Sequence, residues 1–292
     1  MSMSTVKGHM SSVNFAFFGT PEPAVEILDA LKLRDLLPSL IVTNPDKPQG
    51  RKMALTPPPV KVWAQKNGIK FLQPEKLDSV FNQQLTTYNP QLFIVVAYGA
   101  ILPRALLDIP KRGSLNVHYS LLPKYRGASP VESQILADDK DVGVSILLLD
   151  EKMDHGPIVA QRRLQIPDWP LSAEALRSAM NNVAGELLAE SLSDWIAGKI
   201  EAKPQDHSKA TYTKKFTKAD CEIDLSADPY ANFLKIQALG AWGPYFFAEK
   251  NGGKTRVSIK SSAYREGTLV LLRVVPEGKK EMSYEEFVRG LK

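Results

Sequence analysis

Short apolar runs recur along the first two thirds of the chain, and amphipathic segments lie between them. The runs read VNFAFFG, SLIVT, KFL, LFIVVAY, SLNVH and VGVSILLLD. Such runs are typical of strands buried on both faces, whereas segments such as AVEILDALKLRDLL carry apolar residues at helical spacing. Alternating strands and helices predict an α/β domain with a doubly wound, mostly parallel sheet.

A long helix and a change of pattern mark the end of this domain. Residues 172–197 show a helical pattern that begins at Ser172, a favourable N-cap residue, and stops at Gly198. After a lysine-rich link come one more helical segment and the short strands YFFAE, TRVSIKSSAY and TLVLLRVV, which predict a small β-barrel. We therefore predict a flexible leader over 1–12, a first domain over 13–204, and a link with a second domain over 205–292.

Composition narrows the class of protein. The chain of 292 residues is 43% hydrophobic and 24% charged, as in soluble globular proteins. Its longest apolar run, Leu92 to Leu102, is shorter than the roughly 18 residues that cross a bilayer. The single cysteine, Cys221, cannot form an internal disulfide. We expect a cytoplasmic protein with no membrane partner and no metal.

Positive charge is concentrated after the long helix. Between Lys203 and Lys218 five lysines accompany one aspartate, Asp206, and the whole chain has a formal charge of +5. Clustered cations suit a polyanionic partner such as a nucleic acid, because each phosphate contact is favoured by a nearby positive charge. On charge alone, a solvated basic linker explains the same pattern equally well.

The first strand does not carry a dinucleotide-binding signature. It ends at FFGTPEPA, with one glycine at Gly19 and two prolines, instead of the glycine-rich turn that lets backbone approach a pyrophosphate. A nicotinamide dinucleotide is therefore disfavoured. Ligands of such sheets still bind beyond the carboxyl ends of the strands.

Polar side chains occur at two strand ends. Asn116 and His118, two residues apart at the end of the fifth predicted strand, point to the same face. Asp154 follows the next strand on a turn bounded by Gly-Pro, so it could meet His118 at a neighbouring strand end and favour its charged form. An Asx-turn aspartate and a histidine bonded to backbone remain the alternative. Ser120 continues the same face, but the elbow motif of serine hydrolases is missing.

His155, beside Asp154, competes with His118 for the catalytic role. Adjacent side chains diverge in an extended turn, so we place His155 at the edge of the site. A metal site formed by His118, His155 and Asp154 is geometrically conceivable but lacks any recognised spacing of ligands.

The sequence NVHYSLLPKYRGASP, followed by LDEKMDHGPIV, resembles the signature of the folate-dependent formyltransferases. The resemblance implies that Asn116, His118 and Asp154 form the catalytic set. It also implies transfer of a formyl group from 10-formyltetrahydrofolate to a primary amine, without a metal. By the same resemblance the folate should lie in a cleft lined by Val96, Ala97, Tyr98, Ser120, Leu121, Leu122, Pro123, Leu149 and Asp150.

Other segments indicate the amine acceptor. The stretch NPDKPQGRKMALTPPPVKVWA, residues 44–64, is similar to an insertion in methionyl-tRNA formyltransferases. It reads as a proline-bounded loop of about 14 residues without structure of its own, which is long enough to suggest a function. A surface loop with solvated charges remains the alternative. The resemblance implies an initiator methionyl-tRNA partner, a monomeric enzyme and tRNA contacts by Arg51, Lys52, Arg126, Lys214 and Lys215.

The carboxyl-terminal part also resembles that family, with one departure. TYTKKFTKADCEIDLSADP and LRVVPEGKKEMSYEEFVRG are similar to its link and final segment, which implies a small OB-like barrel. A short REG turn stands where the family usually has a further strand-containing stretch, so we expect a trimmed barrel.

Three alternatives remain open. An amino-sugar nucleotide formyltransferase would share the catalytic set and use another amine. A formyltetrahydrofolate hydrolase would release formate without an amine acceptor. A catalytically idle RNA-binding module would bind tRNA and leave the folate intact.

Overall fold

A computed structural model describes residues 13–50, 53–250 and 253–291, apart from the side chains of Gln49 and Lys250. The predicted leader over 1–12 lies outside this range.

Strands and helices alternate through the first two thirds of the chain, and strands dominate the last part. The elements are β1 (Phe15–Gly19), α1 (Glu22–Lys32), β2 (Leu40–Val42), β3 (Lys47–Gln49), β4 (Ala54–Thr56), α2 (Pro59–Lys66), β5 (Phe71–Leu72), α3 (Ser79–Thr86), β6 (Leu92–Val96), α4 (Arg104–Leu107), β7 (Ser114–His118), β8 (Arg126–Gly127), α5 (Pro130–Leu136), β9 (Gly143–Leu148), β10 (Ile158–Arg163), α6 (Ala173–Ile196), β11 (Tyr212–Thr213), α7 (Pro229–Leu239), β12 (Tyr245–Lys250), β13 (Gly253–Arg265), β14 (Thr268–Pro276), β15 (Met282–Ser283) and α8 (Tyr284–Arg289).

Seven strands form the main sheet in the order β10-β9-β7-β6-β1-β2-β5. β1 pairs in parallel with β2 and β6, β2 with β5, and β6 with β7. The predicted mostly parallel sheet is confirmed. β9 is an exception, because it runs antiparallel to β7, with Leu148 opposite Leu115 and Ser145 opposite His118.

The core covers both faces of this sheet. In β1 all five residues are buried, so neither face of the strand is exposed to solvent. Helices α3 and α4 supply one face through a cluster that joins strand residues Ala16, Phe18, Leu40, Val42, Phe93 and Val95 to helix residues Phe81, Leu85, Leu106 and Leu107. Burial on both faces is what the unbroken apolar runs predict.

Helices α1 and α6 lie against each other. Asn181 donates a hydrogen bond of 2.9 Å from Nδ2 to Oε2 of Glu26. A β-carbon added to Gly185 would overlap the β-carbon of Ala30. A glycine at 185 therefore permits the close approach of the two helices.

The predicted start of the long helix agrees with its hydrogen bonding. Ser172 Oγ accepts a hydrogen bond of 3.2 Å from the backbone N–H of Ala175, just before α6. This bond satisfies one of the N–H groups that the first turn of a helix leaves unpaired.

Contacts along the chain divide it into two compact units. The first contains the described residues up to His118, with Val144–Arg162 and Met180–Lys209. The second contains Tyr119–Gly143, Arg163–Ala179 and the described residues from Ala210 onward. The domain boundary that we predict between residues 204 and 205 stays a prediction.

Where we predict a small barrel, the second unit contains a small antiparallel sheet, in the order β12-β13-β14-β15. β13 pairs with β12 through its first half and with β14 over most of its length, and its register shifts between Ile259 and Ser262. Such a bulge bends a strand and lets it serve two partners. Within the described residues this sheet has four strands, and its core includes Ile236, Phe246, Val257, Val274 and Phe287.

No helix of the described part of the chain is both long enough and apolar enough to cross a membrane.

The contact between α1 and α6 gives a prediction for Gly185→Ala. Helix propensity alone would favour alanine by about 1 kcal/mol. Because the added β-carbon overlaps Ala30, we expect overpacking to dominate and lower the free energy of unfolding by about 1–2 kcal/mol in urea denaturation. Gly240→Ala is the control, since nothing lies within 4 Å of a β-carbon there. Equal stability of both variants would contradict this packing.

Candidate active site

Strand β7 presents Asn116 and His118 on one face of the sheet. They lie opposite Leu147 and Ser145 of β9. His118 is buried, whereas Asn116 is half-buried and its amide makes no hydrogen bond to another residue that the structure describes. Asn116 therefore has amide N–H groups available for a ligand at this face.

His118 and Asp154 lie together. The distance from Nδ1 of His118 to Oδ2 of Asp154 is 3.6 Å, and their side chains are 6% and 13% exposed. At this distance the carboxylate interacts with the ring more strongly than it would in water, because few water molecules screen the pair.

Asp154 reaches His118 by a route that the sequence does not show. If β7 and β9 were parallel, their carboxyl ends would be neighbours, and the loop after β9 would begin beside His118. Since β9 is antiparallel to β7, its last residue, Leu148, lies beside the start of β7. Residues 149–157, here named the Asp154 loop, must therefore fold back to bring Asp154 to His118.

Two backbone features permit this return. Asp154 has φ of 49°, in the left-handed region that aspartate and asparagine adopt more readily than most residues. At Gly156 an added β-carbon would overlap the carbonyl oxygen of Leu148. The loop closes where the N–H of Leu148 donates to the carbonyl of Pro157 at 2.9 Å.

His155 has different contacts from His118. Its Nδ1 lies 2.7 Å from Oδ2 of Asp150, and its ring stacks on His207 with centroids 4.0 Å apart. These contacts hold the Asp154 loop. Among the described residues no group of three or more His, Cys, Asp or Glu side chains is arranged to hold a metal ion.

The backbone turns sharply after β6, where the folate is expected. Ala97 is exposed and has φ of 46°. The carbonyl of the next residue, Tyr98, accepts hydrogen bonds from Thr20 Oγ1 at 3.3 Å and from Asn44 Nδ2 at 3.1 Å. A left-handed alanine that neighbouring side chains hold in place is a common feature of binding sites.

Two of the expected folate-binding segments meet in one hydrophobic cluster. Tyr98 and Leu149 both belong to it, and the Tyr98 ring contacts Phe18 edge-on with centroids 5.5 Å apart. Burial raises the pKa of Tyr98 to about 12, so the phenol stays neutral at physiological pH. Asp150, next to Leu149, accepts a hydrogen bond of 2.9 Å from the N–H of Lys152.

The chain is similar in sequence to known proteins. A model of the formyl transferase family matches residues 13–192. A methionyl-tRNA formyltransferase of Thermodesulfovibrio yellowstonii is 38% identical over 96% of this chain and 97% of its own length. The chain belongs to the methionyl-tRNA formyltransferase family. Another member, from Desulfotalea psychrophila, is 35% identical over 100% of this chain and 97% of its own length.

The fold also has a counterpart in the same family. The solved structure of methionyl-tRNA formyltransferase from Clostridium thermocellum matches with a TM-score of 0.63 at 14% identity, over 93% of this chain and 99% of that one. At such low identity the likeness concerns the fold alone.

The segment that follows His118 belongs to the second compact unit. Ser120 Oγ donates a hydrogen bond of 2.6 Å to the carbonyl of Lys124, which gives the hydroxyl a structural role. Leu121 and Leu122 are buried, and Pro123 is half-buried. Folate binding by Ser120 to Pro123 stays a prediction.

Arg126 is buried rather than exposed. The residue is 1% exposed, its N–H donates to the carbonyl of Thr211 at 2.9 Å, and its guanidinium lies 6.0 Å from the centre of the Tyr212 ring. This burial does not suit the expected contact with RNA, because the side chain offers almost no surface. Arg126 is therefore not among the residues that we propose to bind the tRNA.

The expected insertion has more structure than its sequence suggests. Instead of an unstructured loop, residues 44–64 contain the hairpin of β3 and β4 and the start of α2. Its base is fixed by an ion pair between Asp46 and Lys61 at 2.7 Å. A hydrogen bond from Gln73, together with Lys61, lowers the pKa of Asp46. Arg51 and Lys52 lie outside the described residues.

The two lysines of the link differ in their surroundings. Lys214 forms an ion pair with Asp220, and this contact, with hydrogen bonds from Thr217, lowers the pKa of Asp220 to about 2. Lys215 is exposed, and no carboxylate pairs with it among the described residues. Lys215 therefore presents the more available charge.

Gly156 provides a test of the folded-back loop. In Gly156→Ala the new β-carbon overlaps the Leu148 carbonyl, so the loop must move and carry Asp154 with it. We expect a loss of formyl transfer of about a hundredfold, as is typical when a catalytic group shifts by about 1 Å. Hydrogen exchange at residues 149–157 should also increase. Unchanged exchange and turnover would contradict the close contact at Gly156.

Proposed function

We propose that this protein transfers the formyl group of 10-formyltetrahydrofolate to the α-amino group of methionyl initiator tRNA, a step of translation initiation. The observation that carries the proposal is the placement of Asn116, His118 and Asp154 at one face of β7, with His118 and Asp154 3.6 Å apart. Membership of the family supports the same reaction.

Asn116 and His118 would stabilise the developing negative charge. When the amine nitrogen bonds to the formyl carbon, the carbonyl oxygen becomes an oxyanion. The amide N–H of Asn116 and the imidazolium N–H of His118 donate hydrogen bonds to that oxygen. Removing one such donor typically costs roughly 3 kcal/mol of transition-state stabilisation.

Asp154 would support this step in two ways. Its carboxylate lies 3.6 Å from Nδ1 of His118 and fixes the orientation of the ring. The attacking amine loses a proton as the new C–N bond forms, and N10 of the folate takes up a proton as the old C–N bond breaks. Asp154 would accept the first proton and supply the second, so that N10 of the folate leaves as a neutral amine.

The formyl donor would bind at the ends of β6 and β9. Formyl transferases of this family use a formyl-folate. The exposed residue Ala97 and the hydrophobic cluster that includes Tyr98 and has Leu149 packed against it support a folate site beside Val96 and Asp150. Ser120, Leu121, Leu122 and Pro123 would complete it, since they directly follow the strand that carries His118.

Cations of the insertion and of the link would bind the tRNA. In the sequence Arg51 and Lys52 lie between β3 and β4, and an ion pair of Asp46 with Lys61 fixes the base of this insertion. Lys214 and Lys215 directly follow β11. One chain carries all three proposed catalytic residues, so no second subunit is needed to complete the site. We therefore propose that the enzyme is a monomer. We also propose a cytoplasmic enzyme, because its acceptor would be charged initiator tRNA, which is used in the cytoplasm.

A direct assay tests the proposal. The protein is incubated with 10-formyltetrahydrofolate labelled in the formyl group and with charged initiator tRNA, and formylmethionine is quantified after hydrolysis of the ester bond. Parallel reactions contain an amino-sugar nucleotide or no acceptor. Label on the methionine supports the proposal. Label only on the sugar indicates a sugar formyltransferase, and labelled formate without an acceptor indicates a hydrolase.

His118→Ala and Asp154→Asn test the catalytic set. We expect each to reduce kcat by at least about tenfold, the low end for loss of a positioned acid or base, with little change in tRNA affinity. Asparagine preserves the left-handed backbone of residue 154, so the second variant removes only the charge. Asp35→Asn is the matched control, since Asp35 also has positive φ, at 59°, and lies in an exposed turn. Wild-type turnover in both catalytic variants would refute these roles.

Lys215→Ala tests the RNA contact of the link. Loss of one phosphate contact should weaken tRNA binding and reduce the slope of log Kd against log salt by about one, while kcat at saturating tRNA stays the same. Lys76→Ala, at another exposed position, is the control. Arg51→Ala should behave like Lys215→Ala. A salt slope equal to that of the wild type in both variants would remove these residues from the proposed interface.

A further inference from the structure

A short segment after α6 is bonded along the Asp154 loop. Lys203 and Ile158 exchange two backbone hydrogen bonds, each 2.8 Å long, directly after the loop ends. Gln205 and His207, two and four residues further along, contact the loop itself. Residues 203–207, here named the clamp segment, therefore run beside the return of the loop.

Gln205 makes the most direct of these contacts. Its Nε2 donates hydrogen bonds to the carbonyl of Asp154 at 2.9 Å and to the carbonyl of Gly156 at 2.7 Å. The residue is 6% exposed. A single buried amide thus holds the two carbonyls on either side of His155.

From this geometry we infer that Gln205 is a positioning residue for Asp154, an inference that rests on the proposed function. It does not touch the reacting atoms. It fixes the backbone on both sides of the turn that presents the carboxylate to His118.

The need for such a residue follows from the backbone of the loop. Asp154 has φ of 49°, a conformation that is unfavourable for a non-glycine residue unless its surroundings stabilise it. The carbonyls of Asp154 and Gly156 also need donors, because a carbonyl that is removed from water without a hydrogen bond is destabilising. The Gln205 amide supplies both hydrogen bonds, which favours this loop conformation over others.

His155 and His207 strengthen the same arrangement from the side. His155 lies between Asp150, 2.7 Å from its Nδ1, and the parallel ring of His207. Movement of the turn would break both contacts. The clamp segment consequently holds the turn at its backbone through Gln205 and at its side chain through His207.

Gln205→Glu is the most informative substitution. Glutamate has the same shape but, when ionised, offers no donor and sets a negative charge against two carbonyl oxygens. We expect kcat to fall by about tenfold or more, because the carboxylate of residue 154 loses its fixed position. The KM values for the folate and for tRNA should stay within about twofold, since no proposed contact to either substrate is removed.

A double-mutant cycle distinguishes positioning from a general loss of structure. If Gln205 acts through Asp154, then Gln205→Glu has little further effect once Asp154→Asn is present. If the fold-reductions in kcat of the two single variants multiply in the double variant, Gln205 acts elsewhere and the inference is overturned. Gln205→Met, which removes the donors without adding charge, replaces the glutamate variant if the latter does not fold.

Asn232→Asp is the matched control. Asn232 is also 6% exposed and donates its side-chain amide to a backbone carbonyl, that of Asp224, at 2.6 Å. It belongs to the second compact unit, whereas Asn116, His118 and Asp154 belong to the first. We expect this variant to lose stability and keep its kcat. A similar loss of kcat in Asn232→Asp would attribute the effect of Gln205→Glu to general destabilisation.

Hydrogen exchange provides a readout that is independent of activity. Amide exchange at residues 149–157 should accelerate in Gln205→Glu and remain slow in Asn232→Asp. Failure of the wild-type protein to form formylmethionine would refute the proposed function, while exchange would still show whether Gln205 holds the loop. Wild-type exchange and turnover in Gln205→Glu would overturn the inference alone.

Discussion

The antiparallel pairing of β9 with β7 determines where the carboxylate of the site can lie. In a fully parallel sheet the loop after β9 would begin beside His118. Here it begins beside Leu115, at the far end of β7, and must return along the sheet. The left-handed Asp154, the absence of a side chain at Gly156 and the donors of Gln205 all serve that return. The distance between His118 and Asp154 is therefore a property of the whole loop.

The chemistry of the site follows from this enclosure. A histidine and an aspartate in open water interact weakly, because water screens them from each other. The same pair with little exposed surface is screened less and interacts more strongly. Asn116, half-buried beside them, adds a neutral donor that needs no change of protonation during the reaction. In the proposed reaction these three side chains would provide hydrogen bonds and charge for an oxygen that becomes negative.

Much of the fold could be predicted from the sequence, because strands buried on both faces leave long apolar runs and amphipathic helices leave a clear period. The direction of β9 could not, since an apolar run reads the same in a parallel and an antiparallel strand. The hairpin of β3 and β4 was missed because its strands are only three residues long and one contains Pro48, which disfavours a strand assignment. In the second unit, the short turn between β13 and β14 predicts a trimmed barrel, and this stays a prediction.

For the site, the spacing of Asn116 and His118 and the turn that carries Asp154 indicate polar groups at neighbouring strand ends, and the resemblance implies that the three form a catalytic set. The exposure of a side chain is a tertiary property, so the burial of Arg126 was not visible in the sequence. Gln205 was missed for a related reason. Its partners are backbone carbonyls some fifty residues earlier. Every residue has a backbone carbonyl, so the sequence does not show which of them accept a hydrogen bond from a side chain.

The bridge between Lys203 and Ile158 bears on how the chain can be divided. A fragment that stopped at residue 204, where composition changes, would keep every proposed catalytic side chain and still lose the amide of Gln205 and the ring of His207. A fragment that keeps all of these contacts of the Asp154 loop must therefore extend to residue 207 or further. In the sequence the segment after α6 looks like a linker, whereas in the structure it lies along the Asp154 loop.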